Sequence, residues 1–448
     1  MSVTRLDVGD QDFKTALADF ITAPRGAVSD VRAQVTEILD DVRTRGGSAV
    51  ADYTARFDRV QIDPTRLTSD NVDLHALAAT CPSDLKAAVD FAADRIAAYH
   101  SAQRPSDHSF TDGAGITLGW RWTPLDSVGV YVPGGRASYP SSVLMNIIPA
   151  KLACVERVVM VAPAPDGTLS PAVAYAALRA GADAYHPIGG AQAVAALAFG
   201  AGDLAPVDKI VGPGNAYVAE AKRQVFGTVG IDTIAGPSEI LVIADGTANP
   251  DWVAADLLSQ SEHDPSSQSI LVTTSKALAS RVAQAAEMEL QALPQDNCAR
   301  QAWAAHGAII TVNTLEDAAA VSNQFAPEHV ELAVDDPDAL LAHIKHAGAV
   351  FLGHHAPEAL GDYVTGSNHV LPTSRAARFS SGLGLYDFMK RMSVQKVPRA
   401  GFAALAPAAM RLAEAERLPA HHRSIAIRTN NPAPASSPWP SPSKEPAG

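Results

Sequence analysis

The sequence predicts an α/β fold of two Rossmann-like domains, each a parallel sheet flanked by helices, with small helical segments at both ends. Three observations carry this expectation. Short apolar runs of strand length alternate with helical stretches, the pattern of right-handed βαβ units. The alternation comes in two successive series, one opening at Ser127 and one at Ile240. Ala, Gly and Val dominate while aromatic residues make up 6% of the chain, a mix that lets helices lie close on a sheet.

At 448 residues the chain is too long for one ordinary core. Shifts in texture divide it into 1–126 (N-terminal helical segment and part of the first α/β domain), 127–235 (first Rossmann-like domain), 236–384 (second Rossmann-like domain), 385–428 (C-terminal helical segment) and 429–448 (tail). Near the start, Val31, Val35, Ile38, Leu39 and Val42 recur at helical spacing behind a cap at Ser29 or Asp30. A second helix opens at Pro82-Ser83 and runs towards His100. In the first series, Ser127 to Val132 reads as a buried strand broken by Pro133-Gly-Gly-Arg136. A helix (about Ser141 to Ala153) and strands at Arg157 to Ala162, Ala184 to Ile188 and Lys209 to Val211 follow, with helices at Pro171 to Ala180, Ala191 to Phe199 and Asn215 to Phe226. The second series has strands at Ile240 to Asp245, Ser269 to Thr273, Ala308 to Val312, His329 to Val334 and Ala349 to Leu352, with helices between. A helix from about Gly401 to Arg417 stands apart. Beyond Thr429 the chain is rich in Pro and Ser and is expected to be disordered.

Composition narrows the function. The net charge of −13 and the lack of any long Lys/Arg run argue against nucleic acid as a partner. Cys81, Cys154 and Cys298 form no CxxC pair, so they are expected to be buried as small apolar residues, not joined or metal-bound. With neither a signal-like apolar run at the start nor a membrane-length apolar stretch, the expected location is cytoplasmic and no membrane partner is expected.

Three glycine turns follow strands of the first series: Val132-Pro-Gly-Gly135, Gly189-Gly-Ala-Gln192 and Gly212-Pro-Gly-Asn215. Each leads into a helix, whose N-terminal N–H groups suit a phosphate or polar ligand, and all would lie at the carboxyl edge of one sheet. None is GxGxxG, and each alone is equally explained as a tight turn. Gln260 and His263 lie three apart at a helix end and could reach one ion, although the helix dipole also favours histidine there. Phe325-Ala-Pro-Glu-His329 sets a carboxylate beside an imidazole, a pair suited to proton transfer or to an ordinary turn. Asp362 and His369 share a glycine-bearing loop. Glu414, Glu416, His421 and His422 lie near the C-terminus, where a solvated helix end is the plain alternative.

Together these segments resemble the histidinol dehydrogenase family, from about residue 25 to about 428. The carrying motifs are Gly129-Val-Tyr-Val-Pro-Gly-Gly135, Tyr139-Pro-Ser-Ser-Val-Leu-Met-Asn146, Val211-Gly-Pro-Gly-Asn-Ala-Tyr-Val218, Ala235-Gly-Pro-Ser-Glu239, Ser259-Gln-Ser-Glu-His263, Asn323-Gln-Phe-Ala-Pro-Glu-His329 and Gly366-Ser-Asn-His-Val-Leu-Pro372. The resemblance implies oxidation of L-histidinol to L-histidine with two NAD per turnover, through an aldehyde-level intermediate, in an intertwined homodimer with one zinc per subunit. It implies Gln260, His263 and Asp362 as metal ligands, with His421 as the fourth, donated across the interface. The family spacing from Glu416 selects His421 over His422. It implies Glu328 and His329 as proton-transfer residues and Tyr131, Gln192 and Asn215 as NAD contacts. Ser238, His369 and Glu416, the last donated across the interface like His421, would contact substrate, as would His329 and the metal ligands Gln260, His263, Asp362 and His421. From the residue types alone, imidazole and oxygen donors without thiolate imply only a divalent metal. Two alternatives accompany this reading: a related NAD-dependent dehydrogenase of another small alcohol or diol, and a binding protein without turnover. Retention of Glu416 and His421 disfavours the first, and the Glu328-His329 pair the second.

Overall fold

The computed structural model describes residues 3–25, 31–68, 71–134, 139–234 and 236–429. The expected cap at Ser29 or Asp30, Gly135 and Arg136 of the first glycine turn, Ala235, and the tail beyond Thr429 lie outside the described residues. Two compact units form, one from Met1–Arg104 with Pro124–Met389, the other from Pro105–Thr123 with Lys390–Gly448.

The strands in chain order are β1 (Thr4–Asp7), β2 (His108–Thr111), β3 (Thr117–Pro124), β4 (Ser127–Tyr131), β5 (Arg157–Val161), β6 (Ala184–His186), β7 (Lys209–Val211), β8 (Gly230–Ile231), β9 (Glu239–Ala244), β10 (Gln268–Thr273), β11 (Ala308–Thr311), β12 (His329–Ala333), β13 (Ala349–Leu352) and β14 (Met389–Lys396). In the first unit, one parallel sheet runs β6-β5-β4-β7-β8 and another runs β1-β11-β10-β9-β12-β13. Counted from β4 and from β9, each follows the order third, second, first, fourth, fifth, so one doubly wound topology occurs twice. β1 adds an edge strand to the second copy by pairing with β11.

Parallel strands covered on both faces read as unbroken apolar runs, and all six residues of β9 are buried. Small residues bring helix and strand together. A Cβ on Gly129 of β4 would lie 2.6 Å from Leu197 Cδ2 on the helix Gly190–Phe199, so that helix rests directly on the strand. The N-terminal helices divide between layers. Helices Arg32–Arg45 and Gly47–Asp58 join one face of the first sheet, and Ser83–Ser101 joins the opposite face. Helix Phe13–Thr22 instead buries Phe13 and Leu17 against Leu241 and Ile310 of the second sheet.

The second unit holds the sheet β14-β3-β2, in which β2 and β3 pair antiparallel, and the helices Arg399–Ala415 and Pro419–Thr429. The segment expected to be helical from 385 therefore opens with a 3-10 turn and the strand β14, whose polar, largely exposed sequence carries no apolar run to announce it. Cys81 is buried as expected, but Cys154 is exposed and Cys298 half-buried. Cys154 sits at φ +67° in the turn after the helix Pro140–Leu152, which turns its side chain away from the core. Among the described residues no helix is long and apolar enough to cross a membrane.

Candidate active site

One residue of β9 holds both groups expected to transfer protons, Glu328 and His329. The Glu239 backbone N–H donates to Glu328 Oε2 at 3.0 Å, and its carbonyl accepts from His329 Nδ1 at 3.0 Å. A carbonyl can only accept, so Nδ1 carries the proton and Nε2 keeps its lone pair. Burial pushes the His329 pKa down to about 4, which leaves the ring neutral and ready to accept a proton. Burial also raises Glu328 well above the usual carboxylate range, so its carboxylate is a stronger base than a solvated one. Ser238 adds a side-chain hydrogen bond to Glu328.

His329 begins β12 and Glu239 begins β9, so this part of the site lies at the N-terminal ends of neighbouring strands. Open α/β sheets ordinarily bind ligands at the opposite edge. In the first sheet the three glycine turns lie at that carboxyl edge, following β4, β6 and β7. Added Cβ atoms on Gly134 and Gly189 would each lie 2.5 Å from Pro163, which follows β5, so these two turns pack against one residue. Gly212 has φ +108°, and a Cβ there would lie 2.1 Å from the Tyr131 carbonyl oxygen; only glycine fits. Its N–H donates to Asp232 Oδ2 (2.7 Å) and its carbonyl accepts from Lys222 Nζ (2.9 Å). Lys222 and Asp232 form a buried ion pair beneath this turn.

The expected NAD contacts each lie on or beside one of these turns. Tyr131 is buried, its hydroxyl accepts from the Gly190 N–H at 3.1 Å, and burial pushes its pKa up to about 12. Gln192 is buried with Oε1 unpartnered. Asn215 caps the helix Ala216–Val225 by accepting from the N–H groups of Tyr217 and Val218.

The expected metal ligands of the first unit gather on two helix ends. Gln260 belongs to the last turn of Pro250–Ser261; it is fully buried, and neither its Oε1 nor its Nε2 has a hydrogen-bond partner. His263 lies just past that helix, not on it, and is exposed; its N–H donates to the Gln260 carbonyl at 3.3 Å. It stands close enough to His329 and His369 for its charge to act on both. Asp362 ends one turn of the helix Glu358–Tyr363, and its backbone carbonyl accepts from His369 Nδ1 at 2.9 Å. His369 Nε2 lies 3.4 Å from Ser142 on the helix Pro140–Leu152, which joins the loop to the first sheet's layer. Burial lowers the His369 pKa as well. His329, Glu358 and Asp362 offer ligand atoms within 4.8 Å of one another. Glu416 and His421 belong to the second unit, where both are exposed at the turn and start of its last helix.

A family model for histidinol dehydrogenase matches residues 22–429. The chain belongs to the histidinol dehydrogenase family. Similar relatives include the histidinol dehydrogenase of Caulobacter vibrioides, 55% identical over 94% of this chain and 97% of its own length. That of Mesorhizobium japonicum is 54% identical over 96% of this chain and 100% of its own. A solved histidinol dehydrogenase from Elizabethkingia anophelis superposes with a TM-score of 0.90 at 35% identity, covering 95% of this chain and 98% of that one. Family membership makes this an oxidoreductase of histidine biosynthesis with an α/β parallel-sheet fold.

Three buried acidic residues and a partly buried one near the site have no counterpart among the sequence-level candidates: Glu239 (named there only within a motif), Glu331, Glu358 and the partly buried Asp256. Two of them had a legible signal. Glu331 shares the strand face of His329 at i+2, and Asp256 shares the helix face of Gln260 at i−4.

Proposed function

We propose that this chain carries out the NAD-dependent, zinc-assisted four-electron oxidation of L-histidinol to L-histidine, the last step of histidine biosynthesis. The observation that carries this reading is the pair Glu328 and His329, held by a single residue with His329 Nε2 free to accept a proton. His329 takes the hydroxyl proton as hydride leaves the substrate carbon, and takes part again at the aldehyde level. Glu328 draws a proton from the water that hydrates the aldehyde. The sum is L-histidinol, two NAD+ and water giving L-histidine, two NADH and protons.

The residues fit a divalent metal: Gln260 is fully buried with both amide atoms unpartnered, and a bound ion would take up its Oε1. Gln260, His263 and Asp362 would hold the ion together with the partner subunit's His421. Of the acidic cluster we assign only Asp362 to it. Bound there, zinc supplies an anchor for the imidazole and amine of histidinol. Tyr131, Gln192 and Asn215 would hold NAD, which supplies the hydride acceptor; the unpartnered Gln192 Oε1 fits a polar ligand there. Ser238, His369 and the partner subunit's Glu416 would orient the substrate. A homodimer is favoured by the exposed Leu405, Leu412 and Ile427 on the helices that flank Glu416 and carry His421, and by Leu418 in the turn between them. We assign the reaction to the cytoplasm, where NAD is supplied.

The test is metal content and activity on purified protein. About one zinc per subunit is expected, with NADH formed from histidinol but not from simple diols, activity lost on chelation and recovered on adding zinc. Absence of NADH formation from histidinol by zinc-loaded protein would overturn the reading.

A further inference from the structure

Glu331 lies on β12, two residues past His329 and on the same strand face, and is 3% exposed. Its Oε1 accepts the backbone N–H of Glu358 at 2.6 Å. Glu358 opens the helix Glu358–Tyr363, and Asp362 follows four residues later on the same face. The Glu331 carboxyl also lies close enough to the side chain of Asp256 for the two to interact. Asp256 lies four residues before Gln260, on the same face of Pro250–Ser261. One side chain therefore touches all three segments that carry Glu328 and His329, Asp362, and Gln260.

Two carboxyl groups can bond to each other only if one keeps its proton. A neutral acid at Glu331 satisfies every contact: the carbonyl oxygen accepts from Glu358, and the O–H donates to the Asp256 carboxylate. The surroundings agree. Burial, then the charge of Asp256, holds Glu331 well above the usual carboxylate range, while burial raises the partly exposed Asp256 only to about 6.

We propose that Glu331 is a positioning residue which, by holding the Glu358 N–H and facing Asp256, fixes the spacing between the proton-transfer pair and the two helices that carry the metal ligands. This rests on the proposed function for the role of those groups, but the spacing itself is measurable without it.

The test compares Glu331→Gln with Glu331→Leu in the full-length protein, read by amide hydrogen exchange over 358–363 and by zinc titration. Glutamine can make both bonds, its carbonyl accepting from Glu358 and its amide N–H donating to Asp256, so exchange and zinc affinity should stay within about threefold of the parent. Leucine makes neither. It should speed exchange over 358–363 and lower zinc affinity by about 10–100-fold, the range seen when groups supporting metal ligands are lost. Parent-like exchange and affinity in Glu331→Leu would overturn the inference, and so would a Glu331→Gln protein as impaired as the leucine variant. If Glu331→Leu does not fold, Asp256→Ala removes one of the two bonds, and parent-like zinc affinity in that variant overturns the inference instead. A parent protein that binds no zinc would count against the proposed function alone, leaving the exchange comparison to decide this one.

Discussion

Replacing His329 with alanine should lower turnover of histidinol by about 10²–10⁴-fold, the usual contribution of a positioned proton-transfer group. The basis is the fixed tautomer. With Nδ1 donating to the Glu239 carbonyl, Nε2 is the acceptor on a ring that burial keeps neutral. Loss of that hydrogen bond leaves a buried carbonyl unpaired, at a cost of roughly 1–3 kcal/mol, which a protein of this size withstands at 25 °C. The variant should therefore be folded, retain zinc and bind substrate. Steady-state kinetics, with circular dichroism and metal analysis beside them, check this. Turnover within a few-fold of the parent would remove His329 from the proton chemistry.

The second large effect is on stability. Lys222 and Asp232 are 2% and 4% exposed and bond to each other beneath the Gly212 turn. Asp232→Ala leaves a buried ammonium without its counter-charge, and breaking such a pair from one side costs about 3–5 kcal/mol. The same change strips the Gly212 N–H of its acceptor, so the turn beside Tyr131 and Asn215 loosens and KM for NAD should rise. Replacing both partners with apolar residues, Lys222→Met with Asp232→Ala, removes the stranded charge and should recover part of the loss. Urea unfolding checks both variants. A loss below about 1 kcal/mol in Asp232→Ala would mean that the ammonium finds water and that the pair does not brace the turn.

Much of the first unit was legible because its strands are buried on both faces. Runs such as Ile240 to Ala244 have no polar face and stand out against helical periodicity. β1 was not legible: four residues at the start of the chain pair with β11 some three hundred positions on, and nothing local encodes that partner. The strands β2 and β14 of the second unit escaped for a different reason, since β2 is exposed throughout and β14 buries none of its residues fully. At the site, the adjacent Glu328 and His329 could be paired from sequence, whereas His263 falls past the helix that carries Gln260. The contacts that tune them could not, because Glu239, Glu331 and Glu358 come from different elements brought together only by β9, β12 and the helix after β13. Position within the fold was also hidden. The glycine turns pointed to the carboxyl edge of the first sheet, whereas Glu328 and His329 stand at the N-terminal edge of the second.

The central claim is that one site performs two successive oxidations with one pair of proton-transfer groups. The most direct measurement is the amount of NADH formed when a limiting quantity of histidinol is consumed to completion, with the product identified. Two NADH per histidinol and stoichiometric histidine are predicted. One NADH per histidinol, with an aldehyde accumulating, would contradict it.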